Sequence, residues 1–277
     1  MSLKKKKIIR IGIVGCGAIG SSLAKTVARE FSGQALLASL FDLDSAMARR
    51  LAGMLHMQKI VAPTLEAAIR NVDLVIEASS AASALNIAQK AIALSRDIMI
   101  MSVGGIINDY KKLSKLAGKN GTRIFIPSGA ICGIDGLKAA GCAKIKRVTL
   151  TTRKHPKSFS GVAYLLKKNI RLDKIKKDKV IFEGNAISAV KAFPQNINVA
   201  ATLSIAGIGP EKTFVRIVAS PGVTQNTHEI EIESNAARIV ARTENTLHPD
   251  NPKTSYLAVL SAVATLKQIL APLKIGN

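Results

Sequence analysis

The 277-residue sequence contains few aromatic residues, cysteines or acidic residues. It has no tryptophan, 7 phenylalanines and 3 tyrosines, which argues against a single-strand nucleic-acid reader built on stacked aromatic rings. Its three cysteines are odd in number and lack CxxC spacing, which argues against a disulfide framework or a structural zinc site. No apolar run reaches the roughly 18 residues of a membrane-spanning helix. Glycines also interrupt the apolar segment that follows Lys4–Lys7, unlike in a signal peptide. We therefore expect a cytoplasmic protein.

Acidic residues are outnumbered by basic ones: the chain has 18 Asp and Glu residues and 40 Lys and Arg residues, which gives a net charge of +22. A strongly basic surface can bind nucleic-acid phosphates, attract an anionic substrate, or simply be a solvated surface. No helix-turn-helix, zinc-finger or RNP-type motif accompanies the charge, so nucleic-acid binding is not expected. Hydrophobic residues make up 48% of the chain, enough for a sizeable core and two domains.

Strand-like and helical segments alternate over the first 126 residues, which is typical of parallel strands joined by crossover helices. The pattern includes a strand at Ile60–Pro63 and a helix at Ser45–Leu55 capped by Ser45. After Gly129 the segments are typical of a mixed sheet. We predict an α/β protein with an N-terminal Rossmann-type doubly wound parallel sheet over residues 1–126, joined by a C-terminal helix at about 244–277. The second domain, at 127–243, is predicted to be α/β (α+β) with a mixed sheet.

A glycine-rich loop lies between the first predicted strand and the first predicted helix, with the spacing Gly15-x-Gly17-x-x-Gly20. This is the context that a dinucleotide fingerprint requires: a tight turn, close approach of the backbone to a pyrophosphate, and close helix–strand packing. The alternative is a glycine-rich turn without a ligand. We expect cofactor contacts from the loop residues Gly15, Gly17, Ala18, Ile19 and Gly20.

Asp42 follows the loop by 22 residues, at the end of the next apolar run. A carboxylate there can accept hydrogen bonds from ribose hydroxyls and disfavours a 2′-phosphate, so Asp42 favours NAD over NADP, and the predicted cofactor is NAD or NADP. Arg49 and Arg50 on the following helix weaken this preference, although arginines at such positions are usually surface residues.

Histidine is the side chain best suited to general acid/base chemistry near neutral pH, so the four histidines are the first candidates for that role. Among His56, His155, His228 and His248, the last two follow or precede turn-rich segments and are the candidates. No HxH, HExxH or His/Cys pair indicates a metal site. Two further segments suit close backbone approach: Pro127–Gly133 at a predicted strand end, and Phe193–Ala200, whose Asn196 or Asn198 can cap a helix or bind a ligand.

The sequence resembles the L-aspartate dehydrogenase family over essentially its full length. The resemblance is carried by Gly15–Gly20 with Phe41-Asp42, and by Ile76–Ser79 and Met101–Gly105. Four more specific segments are Pro127–Asp135, Phe193–Ala200, Asn226–Ile230 and Asn245–Ser255.

The resemblance implies reversible, NAD- or NADP-dependent oxidative deamination of L-aspartate to iminoaspartate, then oxaloacetate and ammonia, feeding de novo NAD biosynthesis in a homodimer. It implies that His228 is catalytic and that Ala130 and Asn196 contact the cofactor. Lys253, Thr254 and Ser255 are hypothetical clamps for the substrate carboxylates. The alternatives are another two-domain NAD(P) oxidoreductase, dihydrodipicolinate-reductase-like or homoserine-dehydrogenase-like, and a non-catalytic protein that senses NAD(P) or binds nucleic acid.

Overall fold

This computed structural model describes residues 8–194, 198–249 and 251–276, without the side chains of residues 251–253. The chain divides into two compact units, Met1–Pro127 with Ala262–Lys274, and Ser128–Ser261 with Ile275–Asn277. The sequence pattern had assigned residues 244–261 to the first domain. In the structure this stretch groups with the second unit, because Asn245 ends a strand of the second sheet.

The first unit contains a five-stranded parallel sheet in the order β2-β1-β3-β4-β5. Its strands are β1 (Ile9–Val14), β2 (Ala35–Phe41), β3 (Leu74–Glu77), β4 (Asp97–Ile100) and β5 (Ile124–Phe125). Its helices are α1 (Ala18–Glu30), α2 (Ser45–Met54), α3 (Leu65–Arg70), α4 (Ala81–Ala93) and α5 (Tyr110–Asn120). The strand order reverses at β1, between β2 and β3, which is where ligands bind in doubly wound sheets. The predicted Rossmann-type sheet is confirmed.

The strands of the first unit are apolar along their whole length because both faces of the sheet are covered, so side chains pointing to either side are buried. Ile11 and Ile13 of β1 are fully buried together with Leu23 of α1. Ala262 and Leu266, from the C-terminal helix, belong to the same core.

Two local predictions in the first unit are wrong. The cap of α2 is Asp44, whose side chain accepts the Ala46 N–H at 3.0 Å, and not Ser45. The stretch Ile60–Pro63 is not a strand: a 3₁₀-helix covers Gln58–Ile60 and a single bridge joins Val61 to Leu40. Only three residues separate this 3₁₀-helix from Thr64, the N-cap of α3, which leaves room for a single bridge.

The second unit contains a mixed sheet in the order β10-β9-β6-β8-β7, in which only β6 and β8 run parallel. Its strands are β6 (Ile145–Lys154), β7 (Lys179–Asn185), β8 (Phe214–Ala219), β9 (Asn226–Ser234) and β10 (Arg238–Asn245). A separate hairpin pairs β11 (Leu247–His248) with β12 (Asn251–Ser255). The helices are α6 (Ile134–Ala140), α7 (Ala163–Lys167), α8 (Ala186–Ala192), α9 (Asn198–Ala206) and the start of α10 (Tyr256–Leu270). The predicted mixed sheet is confirmed.

The two faces of this sheet differ in character, because successive strand residues point to opposite sides. One side, here called the inner face, carries His228 and the apolar residues Ile230 and Ile232. The loop before α6 and α6 itself pack on it, since a side chain at Gly133 would meet Ile230, and one at Gly136 would meet Ile239. The outer face carries ion pairs such as Arg153–Glu229 and Arg238–Glu231.

Within the described part of the chain, no helix is long and apolar enough to cross a membrane. The same residues hold no group of three His, Cys, Asp or Glu side chains arranged to bind a metal ion.

Candidate active site

A cavity of about 430 Å³ opens at the carboxyl ends of β1, β2 and β3 in the first unit. The glycine loop forms one side of it and the residues that follow β2 and β3 form the other. The lining residues are Val14, Gly15, Gly17, Phe41, Asp42, Leu43, Leu65, Ala78, Ser79, Ser80, Ser83, Asn86 and Ile87. Three serines and an asparagine supply hydrogen-bonding groups, and of these residues the sequence analysis had included only Ser79, within the segment Ile76–Ser79.

The three loop glycines have different structural roles. Gly15 has φ +100°, and a Cβ there would lie 2.4 Å from the Ala78 carbonyl oxygen. A Cβ on Gly20 would lie 1.8 Å from the Gly15 carbonyl oxygen. By contrast, apart from its chain neighbours, no described residue has a heavy atom within 4 Å of a Cβ built on Gly17. Gly15 and Gly20 are therefore needed for packing, whereas the space at Gly17 suits a bound group.

The amino end of α1 adds to the phosphate-binding character of this cavity. Gly17 is its N-cap and, being a glycine, has no side chain with which to cap the first turn. The first N–H groups of a helix have no partners within it and favour an anion. The residues present thus fit the pyrophosphate of a dinucleotide, with Ala18 and Ile19 in the first turn.

Asp42 connects the glycine loop to β2. Its carboxylate accepts the Cys16 N–H at 2.7 Å through one oxygen and the Asp44 N–H at 3.0 Å through the other. Each oxygen has a second lone pair, so the carboxylate can also accept ribose hydroxyls. Arg49 and Arg50 are exposed on α2 and do not line the cavity.

Glu77 at the end of β3 is fully buried, and the sequence patterns did not reveal it as a structural residue of this region. One carboxylate oxygen accepts the Ser79 N–H and hydroxyl, both at 2.8 Å, and the other accepts the Ser102 N–H at 2.9 Å. These bonds fix the chain as it leaves β3 and β4. Next to the loop, burial and Asp42 raise the pKa of the Cys16 thiol to about 12, so it stays protonated.

His228 lies on β9 in the second unit and is 4% exposed. Its Nδ1 lies 2.9 Å from Thr152 Oγ1 on β6, the residue directly opposite in the strand register. Burial, and then the charge of Lys154, lower the pKa of His228 to about 3. The imidazole is therefore neutral at physiological pH, which is the state that can accept a proton.

Lys154 is the last residue of β6 and, like His228, is buried. Burial lowers its pKa to about 8. A buried lysine at a strand end is a functional-site candidate on physical grounds, because desolvation of an ammonium is costly. The run Val148–Lys154 reads as an ordinary strand, and only the burial of its last residue reveals the candidate.

Ala130 is held by its carbonyl oxygen, which accepts Thr243 Oγ1–H at 2.9 Å and Asn245 Nδ2–H at 3.0 Å. The Ser255 hydroxyl in turn donates to Asn245 Oδ1 at 2.7 Å. Gly129, with φ +71°, donates its N–H to the Ser261 hydroxyl at 3.0 Å. The loop predicted to contact the cofactor is thus fixed by the buried Asn245 side chain and by half-buried polar side chains from β10 and β12.

The remaining predicted residues are placed as follows. His248 is buried on β11 and packs edge-on against the Tyr256 ring at 5.3 Å. Asn198 is the first residue of α9, whereas Asn196 lies outside the described residues, as does the Lys253 side chain.

Comparisons with known proteins identify the family. Residues 15–127 match a family described as "Homoserine dehydrogenase, NAD binding domain", and residues 135–269 match "Aspartate dehydrogenase, C-terminal". An L-aspartate dehydrogenase of Methanosarcina barkeri is 42% identical over 272 residues, which cover 98% of this chain and 100% of the relative. The chain belongs to the aspartate dehydrogenase family.

A second relative and a solved structure support the same family assignment and fold. An L-aspartate dehydrogenase of Methanococcoides burtonii is 44% identical over 275 residues, covering 98% of this chain and all of the relative. The crystal structure of an aspartate dehydrogenase from Thermotoga maritima superposes with a TM-score of 0.71 at 24% identity, covering 98% of this chain and 100% of that one, which supports the fold. The sequence-based resemblance to the aspartate dehydrogenase family is confirmed.

Proposed function

We propose that this protein is an NAD(P)-dependent L-aspartate dehydrogenase that converts L-aspartate reversibly to iminoaspartate, and then to oxaloacetate and ammonia. The observation that carries the proposal is the buried, neutral His228 beside Lys154 in the unit that matches the aspartate dehydrogenase C-terminal family. A neutral histidine supplies a proton acceptor, and a lysine supplies a positive charge for a dianionic substrate.

The cofactor is held, in this proposal, by the glycine loop, the amino end of α1, Asp42, Ala130 and Asn196. The chemistry that NAD supplies when bound is acceptance of a hydride from Cα of aspartate. NAD is favoured over NADP because Asp42 lines the cavity, whereas Arg49 and Arg50 do not. A 2′-phosphate at the ribose would be repelled by the Asp42 carboxylate.

His228 acts as the acid/base group. We assign its proton to Nδ1, donating to Thr152 Oγ1, which leaves the lone pair of Nε2 to accept a proton. Nε2 takes a proton from the substrate ammonium, so that the nitrogen lone pair can form the C=N bond as hydride leaves Cα. After that proton has passed to solvent, Nε2 takes one from the water that attacks the imine carbon and delivers it to the amino nitrogen of the resulting carbinolamine. The C–N bond then breaks and ammonia leaves, while the hydroxyl proton returns to Nε2 as the C=O bond of oxaloacetate forms. A bound dianion raises the pKa of His228 because it favours the charged imidazolium.

The test is ammonia-dependent oxidation of NADH by oxaloacetate, comparing the wild type with His228→Asn. The matched control is His56→Asn, because His56 is exposed in the first unit. We expect His228→Asn to lose about 100-fold or more in kcat with unchanged NADH binding, the scale of general acid–base catalysis. No ammonia-dependent turnover in a wild type that binds NADH would refute the proposal. Reduction of aspartate semialdehyde instead would favour the homoserine-dehydrogenase-like alternative.

The proposal extends to location, assembly and pathway. Exposed free thiols at Cys132 and Cys142 suit a reducing cytoplasm. The outer face carries charges of both signs, such as Arg238 and Glu231, and a two-fold axis can make such a face complementary to itself. We therefore include a cytoplasmic homodimer that feeds iminoaspartate to de novo NAD biosynthesis. Sedimentation equilibrium at monomer mass would remove the homodimer from the proposal.

A further inference from the structure

We propose that the ammonium group of Lys154 binds a carboxylate of the substrate next to His228, and that it is the charged group by which the second unit selects an acidic amino acid. This inference rests on the proposed function. It assigns Lys154 the carboxylate-binding role that the sequence hypothesis gave to Lys253, Thr254 and Ser255.

The position of Lys154 is set by the strand register. Thr152 stands directly opposite His228 on the neighbouring strand, and their side chains are hydrogen-bonded. Lys154 lies two residues further along β6, so its side chain emerges on the same face as that of Thr152. Lys154 and His228 are therefore diagonal neighbours on adjacent strands, and such residues lie about 7–8 Å apart. A lysine side chain and a small dicarboxylate together can span that distance.

The charge of the inner face suits an anion. By the strand register, its residues on β6, β8, β9 and β10 include no carboxylate among those described. The glutamates of β9, which include Glu229 and Glu231, point to the outer face. Lys154 is also the only lysine among the buried residues that the structure describes. A substrate carboxylate would bring negative charge to a face whose strands supply none.

Burying the ammonium is costly to the folded protein, and burial lowers the pKa of Lys154 to about 8. The group is still mostly protonated at neutral pH, so it can form a charge-assisted hydrogen bond with a carboxylate. Such a bond is strong in a site shielded from water. A carboxylate bound at Lys154 would therefore offset part of the cost of burial.

Ser255, unlike Lys154, has a structural role. Its hydroxyl donates to Asn245 Oδ1, which helps to hold the Ala130 carbonyl. Its contribution to substrate binding is therefore indirect, through the position of the Ala130 loop.

The test compares Lys154→Met and Lys154→Arg with the wild type, and with Lys146→Met as a control. Lys146 lies on the same strand but is exposed. The measurements are KM and kcat for aspartate, the inhibition constant of succinate as an unreactive dicarboxylate, and the dissociation constant of NADH. We expect Lys154→Met to raise the aspartate KM and the succinate inhibition constant by about 10- to 100-fold, the scale of a hydrogen bond to a charged group. Lys154→Arg should restore part of the loss, whereas NADH binding and the control should stay at wild-type values.

The outcomes separate this inference from the proposed function. An aspartate KM and succinate inhibition constant within twofold of wild type in Lys154→Met, with normal folding, would overturn the role of Lys154. If the wild type does not turn over aspartate, succinate binding measured by calorimetry replaces inhibition as the readout. Loss of that binding in Lys154→Met then supports a carboxylate site at Lys154 while the proposed function fails. Unchanged binding overturns both.

Discussion

Replacing Lys154 by methionine should stabilise the protein at neutral pH even though it weakens substrate binding. Burial lowers the pKa of Lys154 from 10.5 to about 8. One pKa unit corresponds to about 1.4 kcal/mol, so the buried ammonium costs the folded state about 3 kcal/mol at neutral pH. Methionine has a similar length and no charge, so Lys154→Met should raise the free energy of unfolding by about 2–3 kcal/mol.

The pH dependence gives this prediction a specific signature. Because the pKa is lower in the folded state, the unfolded chain binds more protons between pH 8 and pH 10.5. The stability of the wild type relative to Lys154→Met is therefore full above pH 10.5, falls as the pH drops toward 8, and stays low below that. The gain from the substitution should be greatest at pH 7 and should shrink by pH 10.

The assay is urea unfolding followed by circular dichroism at pH 7 and pH 10, with Lys146→Met as the control. Lys146 is exposed, so its replacement should change the free energy of unfolding by less than about 0.5 kcal/mol. Destabilisation of Lys154→Met at pH 7, or a difference from wild type that does not change between the two pH values, would refute the burial argument.

Three further predictions follow from the geometry. Gly17→Ala should weaken NADH binding because the added Cβ enters open space in the cavity, and it should cost less than about 1 kcal/mol of stability because alanine is a poorer N-cap than glycine. The control Gly53→Ala, also in open space but on α2, should bind NADH normally. Equal NADH affinities of the two variants would contradict the assignment. Asn245→Ala should lower the free energy of unfolding, measured with a chemical denaturant, by about 1–3 kcal/mol, because it leaves the buried Ala130 carbonyl with fewer hydrogen-bond donors. A decrease below about 0.5 kcal/mol would contradict this role of Asn245. The pKa of His228 falls from 6.5 to about 3 on folding, so protonation of the unfolded chain destabilises the wild type as the pH drops. Between pH 6.5 and pH 5 the free energy of unfolding should fall by about 2 kcal/mol more in the wild type than in His228→Asn. An equal fall in the two proteins would contradict this.

Local patterns predicted most of the first unit. The glycine loop is readable because tight turns and close packing require glycine at Gly15 and Gly20 wherever they occur. Asp42 is readable because the acidic residue follows at a fixed distance along one strand–helix–strand unit. Both errors have local causes. Asp44 caps α2 in place of its neighbour Ser45, and the three residues between the 3₁₀-helix and the Thr64 cap of α3 are too few for the strand that the apolar run favoured.

The sequence by itself determined the alternation of strands and helices, the glycine-rich loop and His228 as a candidate, because each depends on neighbours along the chain. Only the tertiary structure decided which side chains surround that histidine. Thr152 is 76 residues away from His228 in sequence, and Asn245 is 115 residues from Ala130. Strand register brings such pairs together, and burial then sets the pKa values of His228 and Lys154, because desolvation depends on the packing of many distant residues.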